Sequence, residues 1–300
     1  MMYNSADDWR AATQKSVALI GMSGVGKTRI SAMLRDQGEW FHYSVDYRIG
    51  TRYLNEQITD DFKREAMKNP YLRDLLRSDS IYIGSNLSFH NLTPLSTWLG
   101  KPGDGDKFGI PFDEYVRRQR MHREAEIASM MDASAFVERA RDLYRYDHFI
   151  CDTSGSACEV VDADDPSDPV LTTLSSAMLP IYIRGTDAHE EALKARFDRA
   201  PKPIYYKEDF LRETWADYLA QAGTSADKAD PDAFIRHGFA ELIDQRRPRY
   251  QAIADQWGIT VEVDEIANPP DEYQYTTYKL QEDTQPTANL NKNYMIGPLC

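Results

Sequence analysis

Cysteine is scarce in this sequence: its 300 residues include Cys151, Cys158 and Cys300 and no others. Three cysteines cannot form the set of paired disulfides that stabilises small secreted domains. The sequence also has no CxxC pair, and its six histidines are scattered, which disfavours a structural zinc site. The cysteine content therefore predicts a reduced, cytoplasmic setting.

Long apolar runs are lacking as well. No stretch approaches the roughly 18 apolar residues that a membrane-spanning helix requires, so we expect no membrane segment. The N-terminus carries Asp7 and Asp8 and has no apolar core, so it is not expected to be a signal peptide.

Basic residues are outnumbered: 35 Lys and Arg stand against 48 Asp and Glu, which gives a formal net charge of −13. A surface of this charge repels nucleic-acid backbones and anionic lipids, so the sequence disfavours both as partners. A local basic site for a small anion is still compatible with this composition. Hydrophobic residues make up 42% of the chain, which is enough for a sizeable core.

Short apolar runs alternate with segments typical of helices along most of the chain. The runs predict five strands, at 15–20, 40–45, 147–152, 178–184 and 259–263. The predicted helices lie at 5–14, 28–37, 55–68, 113–131, 133–144, 187–199 and 234–257, the last broken near Pro248. This alternation predicts an α/β fold of three layers around a mainly parallel five-stranded sheet. Such sheets bind ligands beyond the carboxyl ends of their strands.

The sequence predicts a single domain with an insertion, a lid and a C-terminal tail. We expect one domain over 1–267, followed by an extended C-terminal tail at 268–300. An insertion at about 51–110 contains a further short strand at 81–83 and a polar loop. Residues 186–233 are charged, and we expect them to form a lid. A protein partner, if there is one, would bind at the insertion or the tail.

The segment 21–28, GMSGVGKT, satisfies the pattern GxxxxGK[ST] of a phosphate-binding P-loop. Its glycines let backbone N–H groups converge on an anion, and the helix that follows adds its positive end. Lys27 can reach the β- and γ-phosphates of a nucleotide, and the Thr28 hydroxyl can ligate Mg²⁺. The alternative is a glycine-rich turn that binds no ligand. The predicted nucleotide-binding residues are Gly21, Ser23, Gly24, Val25, Gly26, Lys27, Thr28 and Arg29.

Kinases, ATPases and GTPases share the P-loop. The sequence has no NKxD motif, which argues against a GTPase, and no long coupling domain, which argues against a mechanical ATPase. The loop in a chain of this size therefore favours phosphoryl transfer to a small molecule.

Four later segments match one family pattern together with the P-loop: 44–50 (SVDYRIG), 122–126 (HREAE), 149–156 (FICDTSGS) and 246–255 (RRPRYQAIAD). With them, the sequence resembles the shikimate kinase branch of the P-loop small-molecule kinases. The resemblance covers the P-loop to about residue 50 and then about 120–265, and it leaves out 51–110 and the tail. It implies a P-loop NTPase fold that uses ATP and Mg²⁺.

The resemblance implies that Asp46 contacts the acceptor hydroxyl and acts in catalysis. A carboxylate near a P-loop can orient or deprotonate an attacking hydroxyl. The first aspartate of the family's motif is Ser44 here, and its final glutamate is Gly50, so the substrate side departs from the family. The alternative role for Asp46 is a helix cap before Tyr47.

The resemblance also implies two arginines that bind an acidic substrate. Arg123 falls on the family's Phe-Arg-x-x-Glu motif, which has His122 here in place of Phe. Arg246 falls on the motif Arg-x-Pro-x-Tyr. A guanidinium group suits a carboxylate or a phosphate. The alternative for both arginines is a solvated basic face of a helix.

Small residues follow Asp152 where the family has a glycine-rich turn. Asp152 is placed to hold Mg²⁺ through water, together with Thr28. Ser154 and Gly155 would let the substrate approach the backbone closely. The alternative is a turn without a ligand. Cys151 is expected to be a small buried residue rather than a nucleophile.

Cations in the lid are expected to join Lys27 in neutralising the phosphoryl group as it moves. Lys202, a predicted substrate-binding residue, lies where the family has arginine, so Arg196 or Arg199 is expected to take the catalytic role. The departures lie on the substrate side, so shikimate is not the expected acceptor. The sequence predicts a kinase for a small, anionic, hydroxylated metabolite. The alternatives are a regulatory ATPase or switch with a protein partner, and a kinase acting on a nucleic-acid end.

Overall fold

The computed structural model describes residues 3 and 5–267, together with the backbone of 278–279 and 295–296. The predicted tail at 268–300 otherwise lies outside the described residues. The chain divides into two compact units: the first contains 1–45, 130–195 and 242–300, and the second contains 46–129 and 196–241.

A five-stranded sheet forms the centre of the first unit. Its strands are β1 (Ser16–Ile20), β2 (Trp40–Ser44), β3 (His148–Asp152), β4 (Leu179–Arg184) and β5 (Ile259–Glu262). They lie in the order β2-β3-β1-β4-β5, and all four neighbouring pairs are parallel. The five predicted strands are therefore confirmed. A separate antiparallel pair joins Tyr278–Lys279 to Met295–Ile296.

The sheet is covered on both faces. Every residue of β1 is buried, and so are successive residues of β3 and β4, as expected when neither face meets water. The chain passes from β1 to β2 in one direction across the sheet and makes its later crossovers in the other. Because such crossovers are right-handed, the helices between them cover opposite faces. The predicted three-layer α/β fold is confirmed.

The described part of the chain contains the predicted helices, two of them with corrections given below, and further ones. They are α1 (Ala6–Ala11), α2 (Lys27–Asp36), α3 (Val45–Arg48), α4 (Asn55–Met67), α5 (Pro70–Arg77), α6 (Thr93–Leu99), α7 (Phe112–Asp142), α8 (Pro169–Ala177), α9 (Asp187–Arg199), α10 (Glu208–Ala222), α11 (Pro231–Trp257) and α12 (Val263–Ala267). A π-helical turn, Ile49–Tyr53, joins α3 to α4, and short 3₁₀ turns occur at Gly105–Lys107 and Ala157–Glu159.

The prediction of two helices over 113–144 is wrong, because one helix, α7, runs through the whole segment. The sequence from 112 to 142 contains neither glycine nor proline. Nothing in it interrupts the backbone hydrogen bonds, so the helix continues past Asp132.

The predicted break at Pro248 is also wrong, because α11 continues through it. A proline inside a helix lacks the N–H that would bond to the carbonyl four residues earlier, here Asp244. Beyond the proline, Tyr250, Ile253 and Ala254 are buried. Their packing holds the helix on the core, which offsets the missing hydrogen bond.

The predicted strand at 81–83 does not form, and this segment has no regular structure. Ile81, Tyr82 and Ile83 have high β propensity, but a strand requires a partner, and Tyr82 is 93% exposed. Six of the described helices were not predicted: α3, α5, α6, α8, α10 and α12. Three of them, α5, α6 and α8, have a proline in the first turn, where proline is tolerated because that N–H needs no partner within the helix.

Candidate phosphate-binding site

The loop between β1 and α2 has the backbone that a phosphate cradle requires. Gly21, Gly24 and Gly26 have φ values of 140°, 91° and 101°, a region that residues with side chains rarely adopt. A Cβ atom at Gly21 would also lie 2.9 Å from the carbonyl oxygen of Ile183 on β4. The three glycines are therefore needed for this turn of the chain.

Helix α2 begins at the end of this loop. The N–H groups of its first turn have no partner within the helix and point towards the loop. Gly26 is the N-cap and has no side chain to cap the helix, and the first turn contains no acidic residue. The positive end of the helix is thus not neutralised from within the element, as an anion site requires. Thr28 and Arg29 in the first turn are exposed.

Lys27 is the buried cation of the loop. Its Nζ atom donates hydrogen bonds to the carbonyl oxygens of Gly21 and Met22, at 2.7 and 3.1 Å. These contacts hold the ammonium group inside the curve of the loop. A charge in this position can interact with the phosphate groups of a bound nucleotide.

Asp152 lies at the carboxyl end of β3, next to the strand that leads into the loop. In the sheet register it pairs with Leu19 on β1 and with Ser44 on β2. The Asp152 carboxylate is almost fully buried, and Oδ2 lies 3.8 Å from Nε2 of His42. The sheet therefore places one carboxylate at the edge where the P-loop begins, and a hydroxyl, Ser44, at the neighbouring position.

Residues 153–155, which follow β3, are hydrogen-bonded to β1 and pack against the loop at 21–28. Thr153 donates to the carbonyl oxygen of Leu19 through both its backbone N and Oγ1, at 3.2 and 2.7 Å. A Cβ atom added to Gly155 would lie 1.9 Å from Oγ of Ser23 and 2.9 Å from its backbone nitrogen. Ser154 is buried. The structure thus brings Asp152, Ser154 and Gly155 beside the loop.

Arg246 is buried on α11 and contacts the same segment. Its Nη1 donates to the carbonyl oxygen of Gly155 at 2.9 Å, and its Nε donates to Oε1 of Glu159 at 3.2 Å. Burial lowers the pKa of Arg246, but the attraction of Glu159, Cys158 and Tyr250 together with the hydrogen bond to Glu159 outweighs it, so the pKa is raised. Its predicted role in substrate binding stays a prediction. Glu159 was not identified from the sequence, because an acidic residue in a short turn carries no signal of its own.

Both described cysteines are buried thiols. Burial raises the pKa of Cys158 to about 12 and raises that of Cys151 as well. Burial thus disfavours the thiolate form of both side chains. The prediction for Cys151 is confirmed.

The remaining predicted site residues belong to the second unit. Asp46 lies in the first turn of α3 and is half-buried, Arg196 and Arg199 lie on α9, and Lys202 is exposed between α9 and α10. Their roles in binding and catalysis stay predictions. Arg123 is exposed on α7.

Arg123 lines a cavity of about 290 Å³ in the second unit. Lys207, at the N-cap of α10, lines the same cavity and is also exposed. A third cation, Arg120, is paired with Glu208 through two hydrogen bonds of 2.6 Å. Tyr205 and Tyr206 form buried parts of the wall. Glu124 and Asp209 also line the cavity, so it combines aromatic walls with charges of both signs.

Among the described residues, no group of three or more His, Cys, Asp and Glu side chains could hold a metal ion. Thr28 and Asp152 supply one hydroxyl and one carboxylate, which is a donor set that suits Mg²⁺ when phosphate oxygens and waters complete the coordination. The residues fit Mg²⁺ bound together with a nucleotide and do not fit a metal held by protein ligands alone. Within the described residues, no helix combines the length and apolar character needed to cross a membrane.

No protein-family model matches the sequence, and no curated protein matches it. Among solved structures, the chain is similar to the 1.7 Å crystal structure of shikimate kinase from Bacteroides thetaiotaomicron. The sequence identity is 12% and the TM-score is 0.37, over 85% of this chain and 90% of that one. A likeness at this level carries no conclusion about activity, so the fold assignment stands on the strand order and register of the sheet.

Proposed function

We propose that this protein is a Mg²⁺- and ATP-dependent phosphotransferase that transfers the γ-phosphoryl group to a hydroxyl of a small, anionic metabolite. The observation that carries the proposal is the loop of three left-handed glycines at the start of α2, on the carboxyl edge of the sheet. This loop follows β1. From β1 the chain crosses to β2 in one direction, and every later crossover runs in the opposite direction. Ligands of open α/β sheets bind at such a point.

In this proposal, one set of residues binds the phosphates and another holds the metal ion. The N–H groups of the loop and of the first turn of α2 bind the β- and γ-phosphates, with Lys27 adding its charge. Thr28 and, through water, Asp152 hold the metal ion. Bound Mg²⁺-ATP would supply the phosphoryl group and a divalent charge that stabilises the transferring oxygens. The chain contributes mainly positioning and electrostatic stabilisation.

The acceptor side of the proposal rests on residues predicted from the sequence. Asp46 orients the acceptor hydroxyl and accepts its proton, and Arg123 binds an anionic group of the acceptor. The cavity that Arg123 and Lys207 border is of a size suited to a small metabolite. Arg196, Arg199 and Lys202 neutralise charge during transfer, and Ser154 and Gly155 let the acceptor approach the backbone.

The test is acceptor-dependent release of ADP. The protein is incubated with Mg²⁺-ATP and a panel of sugars, polyol acids and nucleosides, and ADP is followed by a coupled assay. A kinase releases ADP only with a matching acceptor, and mass spectrometry then finds that acceptor heavier by one phosphate. Binding of ATP without transfer to any hydroxylated anion in the panel would contradict the proposed acceptor class.

A second candidate function is a nucleotide-dependent switch. The observation that favours it is Ser44, which lies opposite Asp152 at the position where a kinase of the resembled family has a further aspartate. With one carboxylate fewer, phosphoryl transfer would be slow. Hydrolysis of ATP without an acceptor, accelerated by a protein partner, would support the switch over the kinase.

A further inference from the structure

The position of the P-loop backbone depends on the segment that follows β3. Gly155 approaches Ser23 so closely that even a methyl group would displace one of the two chains, because the backbone nitrogen of Ser23 lies 2.9 Å from the added Cβ. Ser23 is one of the residues whose N–H groups form the cradle. Any shift of residue 155 therefore moves the phosphate site.

Helix α11 contacts this segment through Arg246, Arg249 and Tyr250, and Arg246 is the side chain that bonds to Gly155. Arg246 donates to the carbonyl oxygen of Gly155 and to the carboxylate of Glu159, so its guanidinium group bonds to the segment at both ends, residues 155 and 159. A guanidinium group is planar and has several donors in fixed directions, so the two bonds also fix the angle between helix and segment. Lysine carries all its donors on one nitrogen, so it cannot reproduce the fixed directions of Nε and Nη1.

The carboxylate that anchors Arg246 is itself fully enclosed. The side chain of Glu159 has no exposed surface, and its second oxygen accepts from Nη1 of Arg249 at 2.8 Å. Arg246 is 4% exposed. Charges held out of water interact strongly and are costly to separate, so this cluster of one carboxylate and two guanidinium groups is rigid.

We propose that Arg246 and Glu159 are positioning residues for the phosphate-binding loop, and that Arg246 acts through the carbonyl of Gly155 rather than as a ligand of the acceptor. Glu159 orients Arg246, Arg246 fixes Gly155, and Gly155 supports Ser23. This inference rests on the proposed function only in naming the phosphate group as the ligand of the loop. The positioning role predicts that Arg246 affects the affinity for nucleotide, and this affinity can be measured without any acceptor.

The test measures Mg²⁺-ATP binding by calorimetry in the absence of acceptor, for the wild type and for Arg246→Lys. We expect the dissociation constant to rise at least 10-fold in Arg246→Lys, while hydrogen exchange of the amides of residues 21–28 becomes faster. The matched control is Arg141→Lys, which alters an arginine bonded to Ser16 at the opposite end of β1 and should leave affinity within 2-fold of wild type. Unchanged ATP affinity in Arg246→Lys, with a raised KM for an acceptor, would overturn the proposal.

A second variant keeps the test independent of the ion pair. Gly155→Ala leaves Arg246 and Glu159 in place but introduces the Cβ atom that collides with Ser23, and we expect a similar loss of ATP affinity. Wild-type affinity in Gly155→Ala would overturn the proposal even if Arg246→Lys failed to fold. If the wild type binds no nucleotide, the proposed function fails, and the exchange rates still decide: equal rates in wild type and Arg246→Lys would overturn the positioning role.

Discussion

Asp152 is a single carboxylate at the end of a buried strand, and its position there follows from parallel pairing. Strand β3 ends beside β1, so its last residue meets the start of the loop after β1. An acid at the end of an apolar strand was visible in the sequence, and its neighbour in the sheet followed from the strand order. The close contact of His42 with Asp152 was not predictable, because it depends on the side-chain directions of β2.

Replacing Asp152 by Asn removes the proposed water-mediated metal ligand and keeps the shape. We expect Asp152→Asn to weaken binding of Mg²⁺-ATP about 10-fold or more and to leave binding of metal-free ATP unchanged, as for loss of an outer-sphere metal contact. Calorimetry with and without Mg²⁺ measures both values. Asp147→Asn, an exposed aspartate just before the other end of β3, is the control and should match the wild type. Equal losses with and without metal would remove Asp152 from the metal site.

Asp46 follows directly from β2 and begins α3 with Val45. If it orients and deprotonates the acceptor hydroxyl, Asp46→Asn should reduce kcat by about 10²–10⁴-fold, the usual contribution of a general base. Binding of Mg²⁺-ATP should be unchanged. Steady-state kinetics with the acceptor found in the ADP screen measures the first effect. Asp36→Asn, at the exposed end of α2, is the control, and full activity in Asp46→Asn would exclude the catalytic role.

Helices and strands were largely predictable because apolar spacing and glycine positions decide them locally. Strand β1, for example, is an apolar run that ends at Gly21, and α9 begins and ends where the sequence predicts. The errors fall where tertiary packing decides. Pro248 is tolerated inside α11 because buried residues follow it, and the segment 81–83 lacks a partner strand. Both the burial after Pro248 and the missing partner strand depend on residues distant in the sequence, so neighbouring residues do not predict them.

Helix α8 was missed although its start is well specified. Asp168 is the N-cap, and its Oδ1 accepts from the backbone N–H groups of Val170 and Leu171 at 2.9 and 2.8 Å, with Pro169 in the first turn. We expect Asp168→Ala to lower the free energy of unfolding by about 1–2 kcal/mol through loss of this cap. Urea denaturation followed by circular dichroism measures the change. Asp164→Ala, an exposed residue nearby, should have a smaller effect, and equal effects would contradict the capping role.

Glu114 in the first turn of α7 makes the stability of the second unit depend on pH. A hydrogen bond from Arg117, helped by Arg118, lowers the pKa of Glu114 to about 2 from an ordinary value of 4.5. Because the folded pKa lies below the unfolded one, the stabilisation is complete above about pH 4.5 and is lost as the pH falls towards 2. Since 31% of the side chain is exposed, we expect only about 0.5–1 kcal/mol.

The measurement compares the free energy of unfolding of Glu114→Gln with that of the wild type at pH 7 and at pH 2.5. The difference should be present at pH 7 and should shrink at the lower pH, where the wild-type carboxylate begins to protonate. Glu138→Gln, on the same helix and exposed, should show no such change with pH. A gap between Glu114→Gln and wild type that is the same at both pH values would contradict the charge-based stabilisation.

The whole molecule carries a formal charge of −13, yet the proposed ligand is a polyanion. The two are compatible because the loop binds phosphate with local groups: oriented N–H dipoles, the start of α2 and one buried ammonium group. The net charge of the chain therefore bears on partners that contact a large surface, and not on a small ligand bound by local groups. It disfavours extended contacts with nucleic acid or anionic lipid, and it says little about a site a few ångströms wide.

The nucleotide side of the proposed site was predictable in detail, and the acceptor side was not. A phosphate cradle is built from consecutive residues whose backbone is set by glycine, so a motif of eight residues specifies it. The residues predicted for the acceptor side lie on α3, on α7 and around Lys202, which are far apart in the sequence, so no single motif specifies them. Arg246 contacts a carbonyl and a buried carboxylate, neither of which its motif specifies, and its predicted role in substrate binding stays a prediction.

The central claim is that the loop at 21–28 binds a nucleoside triphosphate with Mg²⁺, and titration calorimetry of the full chain tests it most directly. We expect Mg²⁺-ATP to bind with a dissociation constant of about 1 µM to 1 mM, the range of working substrate affinities. Lys27→Ala should fold as the wild type does and should show no binding heat, whereas Lys68→Ala, an exposed lysine on the second unit, should bind normally. An absence of binding heat in the wild type with both Mg²⁺-ATP and Mg²⁺-GTP, or undiminished binding in Lys27→Ala, would contradict it.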